Sequence, residues 1–135
     1  NIDWAKTQNS GQDIRFVDAD GVTVLPLEIE KWDEVGNAAV VWVKVPQIDA
    51  ASTTDYVWMY YNNTGASDCE TDAACPNAAT VWDTYYLGVW HLQESTGNNA
   101  ADSTSNGRTL TQSNSPAQID GKICQRPQRR SAANV

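Results

Sequence analysis

The chain has one histidine, one methionine, one phenylalanine and three cysteines in 135 residues. A single histidine excludes a histidine cluster, and with Cys69, Cys75 and Cys124 it is too little for a Cys-His zinc cage. Positive charge is equally scarce, with nine Lys and Arg against seventeen Asp and Glu and a formal charge of −8. Phosphate binding draws most of its free energy from clustered cations, so a nucleic-acid partner is not expected. No apolar run approaches the ~18 residues of a membrane span, so membrane insertion is not expected either. No signal peptide is apparent at Asn1, and the chain is expected to begin after processing.

What is present suits short strands joined by polar turns. Six Trp and five Tyr sit among runs of Val, Ile and Leu, with Asn, Ser, Thr and Gly between them. At this length one domain is expected, burying roughly two-thirds of the surface of its unfolded chain. Residues 1–12 read as a lead-in with Trp4 pinned to the body. Strands are expected over residues 13–17, 22–32, 38–45 and 54–62, with one or two more in 81–92 and short edge strands at 109–112 and 119–123. VDADG and DEVGN supply turns between the first strands. The expected fold is an all-β antiparallel sandwich, jelly-roll-like, without significant helix.

Cys69 and Cys75 bracket a short acidic loop, CETDAAC. As a disulfide they would stabilise the fold by roughly 2 kcal/mol in the loop-entropy model and favour an oxidising, extracellular or cell-surface setting. Two free thiols on a loop are the alternative. Cys124 has no assigned role, and the closing QRPQRRSAANV breaks in composition from all before it, with three Arg and no acid.

A period of two assigns the faces. Leu25, Leu27 and Ile29 oppose Glu28, Glu30 and Trp32. Val41, Val43 and Val45 oppose Val40, Trp42 and Lys44, and Val57, Met59 and Tyr61 oppose Tyr56, Trp58 and Tyr60. One face is aliphatic and belongs to the core. The other combines rings with carboxylates, as a sugar-binding surface requires, because a pyranose stacks its C–H face on a ring while its hydroxyls need polar partners at the rim. Trp32, Trp42, Trp58, Tyr56 and Tyr60 are therefore candidate rings, and Glu28, Glu30, Lys44 and Asn62 candidate polar partners. Trp32, at a strand end, is the most reachable. The competing reading is that a second sheet covers Trp42 and Trp58, since soluble monomers seldom bare several large rings together.

Glu28 and Glu30, roughly 7 Å apart on one strand face, also fit the acid and base of an inverting glycosidase with Trp32 as a subsite. Solvated strand acids are the simpler explanation, and Asp33 and Glu34 read as solvated. Asp18 and Asp20 in VDADG are candidate calcium ligands, a fragment of a calcium loop lacking the later bidentate Glu. An Asx-type turn explains them equally, and no other cofactor is expected. His91, in VWHL, reads as a core or rim residue, and no nucleophile elbow accompanies it for a Ser-His-Asp triad.

In order and spacing, DIRFVDADG, LPLEIEKWDE, AAVVWVKVP, TDYVWMYYNN and ASDCETDAACPNAATVWDTYYLGVWHL resemble the domain of unknown function 2341 family. The resemblance covers residues 1–90. It implies a β-rich module of bacterial and archaeal extracellular proteins, one that commonly precedes a laminin-G or concanavalin-A-like lectin domain. VWHLQESTGNNAADSTSNGRTLT and IDGKI are similar to the opening of such a lectin domain. Residues 91–124 are accordingly expected to be its truncated start, packing on the module, and residues 125–135 a basic tail, disordered or out of frame. The resemblance assigns no catalytic residue. A non-catalytic module binding an extracellular polysaccharide is the expected function. A small glycoside hydrolase using Glu28 and Glu30, and a structural or adhesin spacer, are the alternatives. A chain short of strands would also expose edges for strand exchange in a homodimer.

Overall fold

A computed structural model describes residues 2–72, 75–76, 78–94 and 99–114. The expected strand at 119–123, Cys124 and the tail lie outside the described residues. The fold is all-β and antiparallel. After a 3-10 turn at Trp4–Lys6 come β1 (Arg15–Val17), β2 (Val24–Leu25), β3 (Leu27–Asp33), β4 (Ala38–Val43), β5 (Trp58–Tyr60) and a four-residue helix, α1 (Ala78–Val81). They form a three-stranded sheet in the order β2-β1-β5 and a two-stranded β3-β4 hairpin.

The expected continuous strand over 22–32 is two strands in different sheets. Pro26 lacks the N–H that a ladder needs, and at this residue the chain leaves β1 and enters the hairpin, where the Pro26 carbonyl accepts from Lys44 N at 3.0 Å. The VDADG turn joins β1 to β2. Asp18 N donates to Thr23 O, Gly21 N donates to Asp18 O, and Gly21 takes a φ of +71° that suits glycine.

The core lies between the two sheets. Ile14, Leu27 and Cys69 are fully buried at its centre, with Phe16 and Met59 packed from one sheet and Ile29, Val41 and Val43 from the other. Of the aliphatic face read from the period, Leu27, Ile29, Val41, Val43, Met59 and Tyr61 line this core and Leu25 is buried, whereas Val57 is left exposed. Cys69 and Cys75 form a disulfide with Cα atoms 5.2 Å apart, which closes the acidic loop over this core.

A bulge changes the outcome for Trp32. Glu28 faces Trp42 and Ile29 faces Val41, but Val40 is met by Lys31, so Glu30 is the extra residue on β3. One added residue reverses which side every later side chain takes. Trp32 thereby joins the inner face and packs against the core cluster instead of standing with Glu28 and Glu30. Its ring meets that of Trp4 at 5.0 Å, which pins the lead-in as expected. Gly11, at φ +72°, lies so close that a Cβ there would stand 2.9 Å from the Trp32 ring.

The strands expected in 81–92 do not form. Val81 closes α1, and residues 82–94 run without regular pairing. This stretch instead supplies side chains to the outer face of β3-β4. At 109–112 the expected edge strand is reduced to one bridge, Leu110 with Ala100.

Candidate functional site

The structure divides the expected aromatic face in two. Glu28, Glu30 and Trp42 lie on the outer face of the β3-β4 hairpin, whereas Trp58 and Tyr60 lie on the outer face of the other sheet.

On the hairpin, the carboxylates are covered. Glu28 is 8% and Glu30 6% exposed. Trp82 Nε1 donates to Glu28 Oε2 at 2.5 Å, and Ser103 Oγ donates to Glu28 Oε1 at 2.6 Å. Trp42 Nε1 donates to Glu30 Oε2 at 2.5 Å. His91 stands between the two acids, with Nε2 and Nδ1 each 3.2 Å from an oxygen of Glu28 and Glu30 respectively. The rings close around this centre, with Trp42 and Trp82 at 5.4 Å and each 6.0 Å from His91.

Two further anchors hold the cover in place. Lys44 Nζ lies 3.2 Å from Asp83 Oδ2, tying the chain after Trp82 to the end of β4. The Tyr85 N–H holds the Asp83 carboxyl below its ordinary range, with Lys44 adding to the effect against desolvation. Asp102 accepts from the N–H groups of Val89, Thr104 and Arg108 and from the Thr104 hydroxyl, at 2.7–3.0 Å. Desolvation raises this carboxyl, but those four donors together outweigh it and depress it far below the usual range.

The bulge has its own partner. Ile29 N donates to Glu70 Oε1 at 2.7 Å, so a backbone donor beside the irregularity is satisfied from the disulfide loop. Desolvation raises the Glu70 carboxyl, aided by the charges of Asp68 and Glu28 and opposed by the Ile29 N–H.

The second surface is open. Tyr56, Trp58 and Tyr60 are 51%, 49% and 53% exposed. Trp58 pairs with Val17 and Tyr60 with Arg15 along the edge of the sheet. Tyr56 meets Trp58 edge-on, with centroids 5.2 Å apart and planes 80° apart, so the two rings form a floor and a wall. Arg15 is committed locally, its guanidinium donating to the carbonyls of Gln12, Ile14 and Ser67.

Of the remaining candidates, Trp32 is a core residue whose Nε1 is buried without a hydrogen-bond partner among the described residues. Asp20 holds its own turn. Its carboxylate accepts from Val22 N, Thr23 N and the Thr23 hydroxyl, and these bonds, the hydroxyl first, keep it below the ordinary range. Asp18 accepts from Ala19 N. Among the described residues no group of three or more His, Cys, Asp or Glu is placed to hold a metal ion. No helix among them is long and apolar enough to cross a membrane. Ser103 Oγ donates to Glu28, the same carboxylate that His91 Nε2 faces.

Trp82, Asp102 and Ser103 went unrecognised in the sequence, as did buried Asp13, which accepts from Gln8 N, Asn62 N and Asn63 N. Ser103 meets Glu28 across 75 positions and Trp82 meets it across 54, distances at which no local pattern operates.

No curated protein matches the chain, and no solved structure does. A family model described as Domain of unknown function (DUF2341) matches residues 10–86, a span that holds both sheets, the disulfide, α1 and Trp82, and to this family the chain belongs.

Proposed function

We propose that the chain is a non-catalytic carbohydrate-binding module of a secreted bacterial protein, with Tyr56, Trp58 and Tyr60 as its platform. The observation that supports this is three half-exposed rings together, Trp58 and Tyr60 on the edge strand and Tyr56 edge-on to Trp58 just before it. Buried rings stabilise a fold, whereas rings left in water need another occupant to justify their exposure. The floor and wall of Trp58 and Tyr56 suit a sugar ring lying on one and abutting the other. Covering the exposed part of one ring, on the order of 100 Å², contributes roughly 2 kcal/mol at ~25 cal/mol per Å². Three rings, less ordering costs, give about 4–5 kcal/mol, a Kd on the order of 10⁻⁴ to 10⁻³ M.

The disulfide supports an extracellular setting, because such bonds persist where the surroundings are oxidising. The reading includes a lectin-like continuation from residue 91, supported by the way residues 99–110 fold back toward Val89. Catalysis by Glu28 and Glu30 has less support, since both carboxylates are committed to internal partners.

Affinity electrophoresis against β-glucans, xylan, mannan and chitin tests the proposal. Retardation by at least one polymer is expected, and Trp58→Ala should abolish it with an unchanged urea midpoint. No retardation by any polymer, or retardation unaffected by both Trp58→Ala and Tyr60→Ala, would refute it.

A further inference from the structure

Given the carbohydrate-binding role proposed for Tyr56, Trp58 and Tyr60, on which this step rests, we infer that the platform selects an uncharged polysaccharide laid along β5 over two or more linked sugars, and rejects uronate and sulfated chains.

The charges around the rings carry the selection. Among the described residues Arg15 is the only Lys or Arg in β1, β2 and β5. It pairs with Tyr60, where an acidic sugar on the rings would need a cation. Its guanidinium is already spent, because Nη1 donates to the carbonyls of Gln12 and Ile14 and Nη2 to that of Ser67, at 2.7–2.8 Å. A carboxylate or sulfate that recruited Arg15 would take donors away from these carbonyls.

The other end of the platform is acidic. Trp58 pairs with Val17, so the turn that carries Asp18 and Asp20 begins beside it. Asp55 adjoins Tyr56, and its Oδ2 accepts from Asp49 N at 2.7 Å, which brings another acidic residue to the same end. Asp20, Asp49 and Asp55 are exposed. Residues 16–26 and 45–63 hold these four acids and no Lys or Arg. An anionic sugar on the rings would therefore meet like charge with no cation interleaved, a penalty felt most at low ionic strength.

Beside the rings the surface is apolar. Residues directly opposite in a ladder share a face, so Val17 and Val24 lie on the outer face with Trp58. Rings and valines suit the C–H face of a sugar and offer nothing to a carboxylate. Trp58 and Tyr60 stand two residues apart, roughly 7 Å along the strand, so each can take its own sugar. An occupant of linked sugars fills both.

Fluorescence titration of the full chain tests the selection, with β-glucan, xylan and mannan as uncharged polymers, polygalacturonate and a sulfated galactan as anionic ones, and chitosan as a cationic one. At least one uncharged polymer should bind about tenfold or more tighter than either anionic polymer at ~20 mM salt, and the gap should narrow at ~0.5 M. A tetrasaccharide of that polymer should bind about tenfold tighter than its monosaccharide, since it covers more ring surface. Asp55→Asn keeps an acceptor for Asp49 N and should narrow the gap between uncharged and anionic polymers about twofold to threefold at low salt. Tightest binding to an anionic polymer or to chitosan, lost in Trp58→Ala, would overturn the inference and leave the carbohydrate-binding role standing. Equal affinity for monosaccharide and tetrasaccharide, or a gap that Asp55→Asn does not alter, would overturn it in the same way. No binding of any polymer would sink both.

Discussion

Replacing Glu28 by alanine removes the acceptor on which three groups from three parts of the chain converge. Trp82 Nε1 and Ser103 Oγ lose their bonds at 2.5 and 2.6 Å, and His91 Nε2 loses its carboxylate at 3.2 Å. The side chain is almost wholly buried, so water cannot reach these donors without opening the site. Each buried donor stranded by losing its acceptor costs about 1–3 kcal/mol, and Trp82 and Ser103 are both stranded. The sum is not additive, and about 4 kcal/mol is expected, a large fraction of a stability near 5–15 kcal/mol. Glu28→Gln separates shape from charge. Its carbonyl oxygen can still accept from Trp82, and its amide can turn to the Ser103 hydroxyl, which also accepts. Only the charge facing His91 is lost, so a cost of about 1–2 kcal/mol is expected. Urea titration followed by tryptophan fluorescence reads both, with unchanged slopes indicating a change in stability alone. An alanine variant within ~1 kcal/mol of wild type, or glutamine and alanine variants of equal cost, would refute the central place given to this carboxylate.

Glu70→Gln keeps an acceptor for Ile29 N and removes a charge that the fold disfavours. Because the folded pKa is raised, the wild-type penalty is absent below about pH 4 and grows as pH rises through the folded value. The stability of the variant relative to wild type should therefore rise between about pH 4 and neutrality, as read from urea midpoints, and no trend would count against the desolvation of Glu70. Asp102 has the opposite sign. Its depressed carboxyl contributes stability present above about pH 4 and lost as pH falls through the folded value, so acid titration should loosen residues 89–108, and Asp102→Asn should flatten that part of the profile. Gly11→Ala should destabilise by about 2–4 kcal/mol, combining a left-handed φ with overpacking against Trp32, and the melting temperature checks it.

The parts of the fold that were legible in the sequence are those governed by neighbours. The alternation in β4 put Val41 and Val43 inward and Trp42 outward, and Met59 faces the core while Trp58 and Tyr60 do not. The spacing of Cys69 and Cys75 made a disulfide readable. What was not legible depends on long-range partners. The period placed Glu28 and Trp42 on one face but said nothing of Trp82 or Ser103, which arrive from distant positions to cover them. Residues 81–92 have the apolar content of a strand, yet Trp82 and His91 are drawn to two carboxylates, and that attraction overrides the local preference for a ladder. The break at Pro26 was visible as a residue but not as a change of sheet, because a proline signals that pairing stops without saying where the chain goes next.

The irregularity at Glu30 gives β3 two phases, and this bears on how the strand tolerates change in length. With the extra residue present, two carboxylates point outward to His91 while the indole two positions later turns inward to Trp4 and Gly11. Delete one residue there and the downstream half of the strand rolls over, carrying Trp32 out of the core and leaving Gly11 facing a void. Substitution at this point alters one contact, whereas deletion inverts a surface. Among relatives of this domain, a chain one residue shorter between Leu27 and Trp32 must have rebuilt either its acidic face or its tryptophan-filled core.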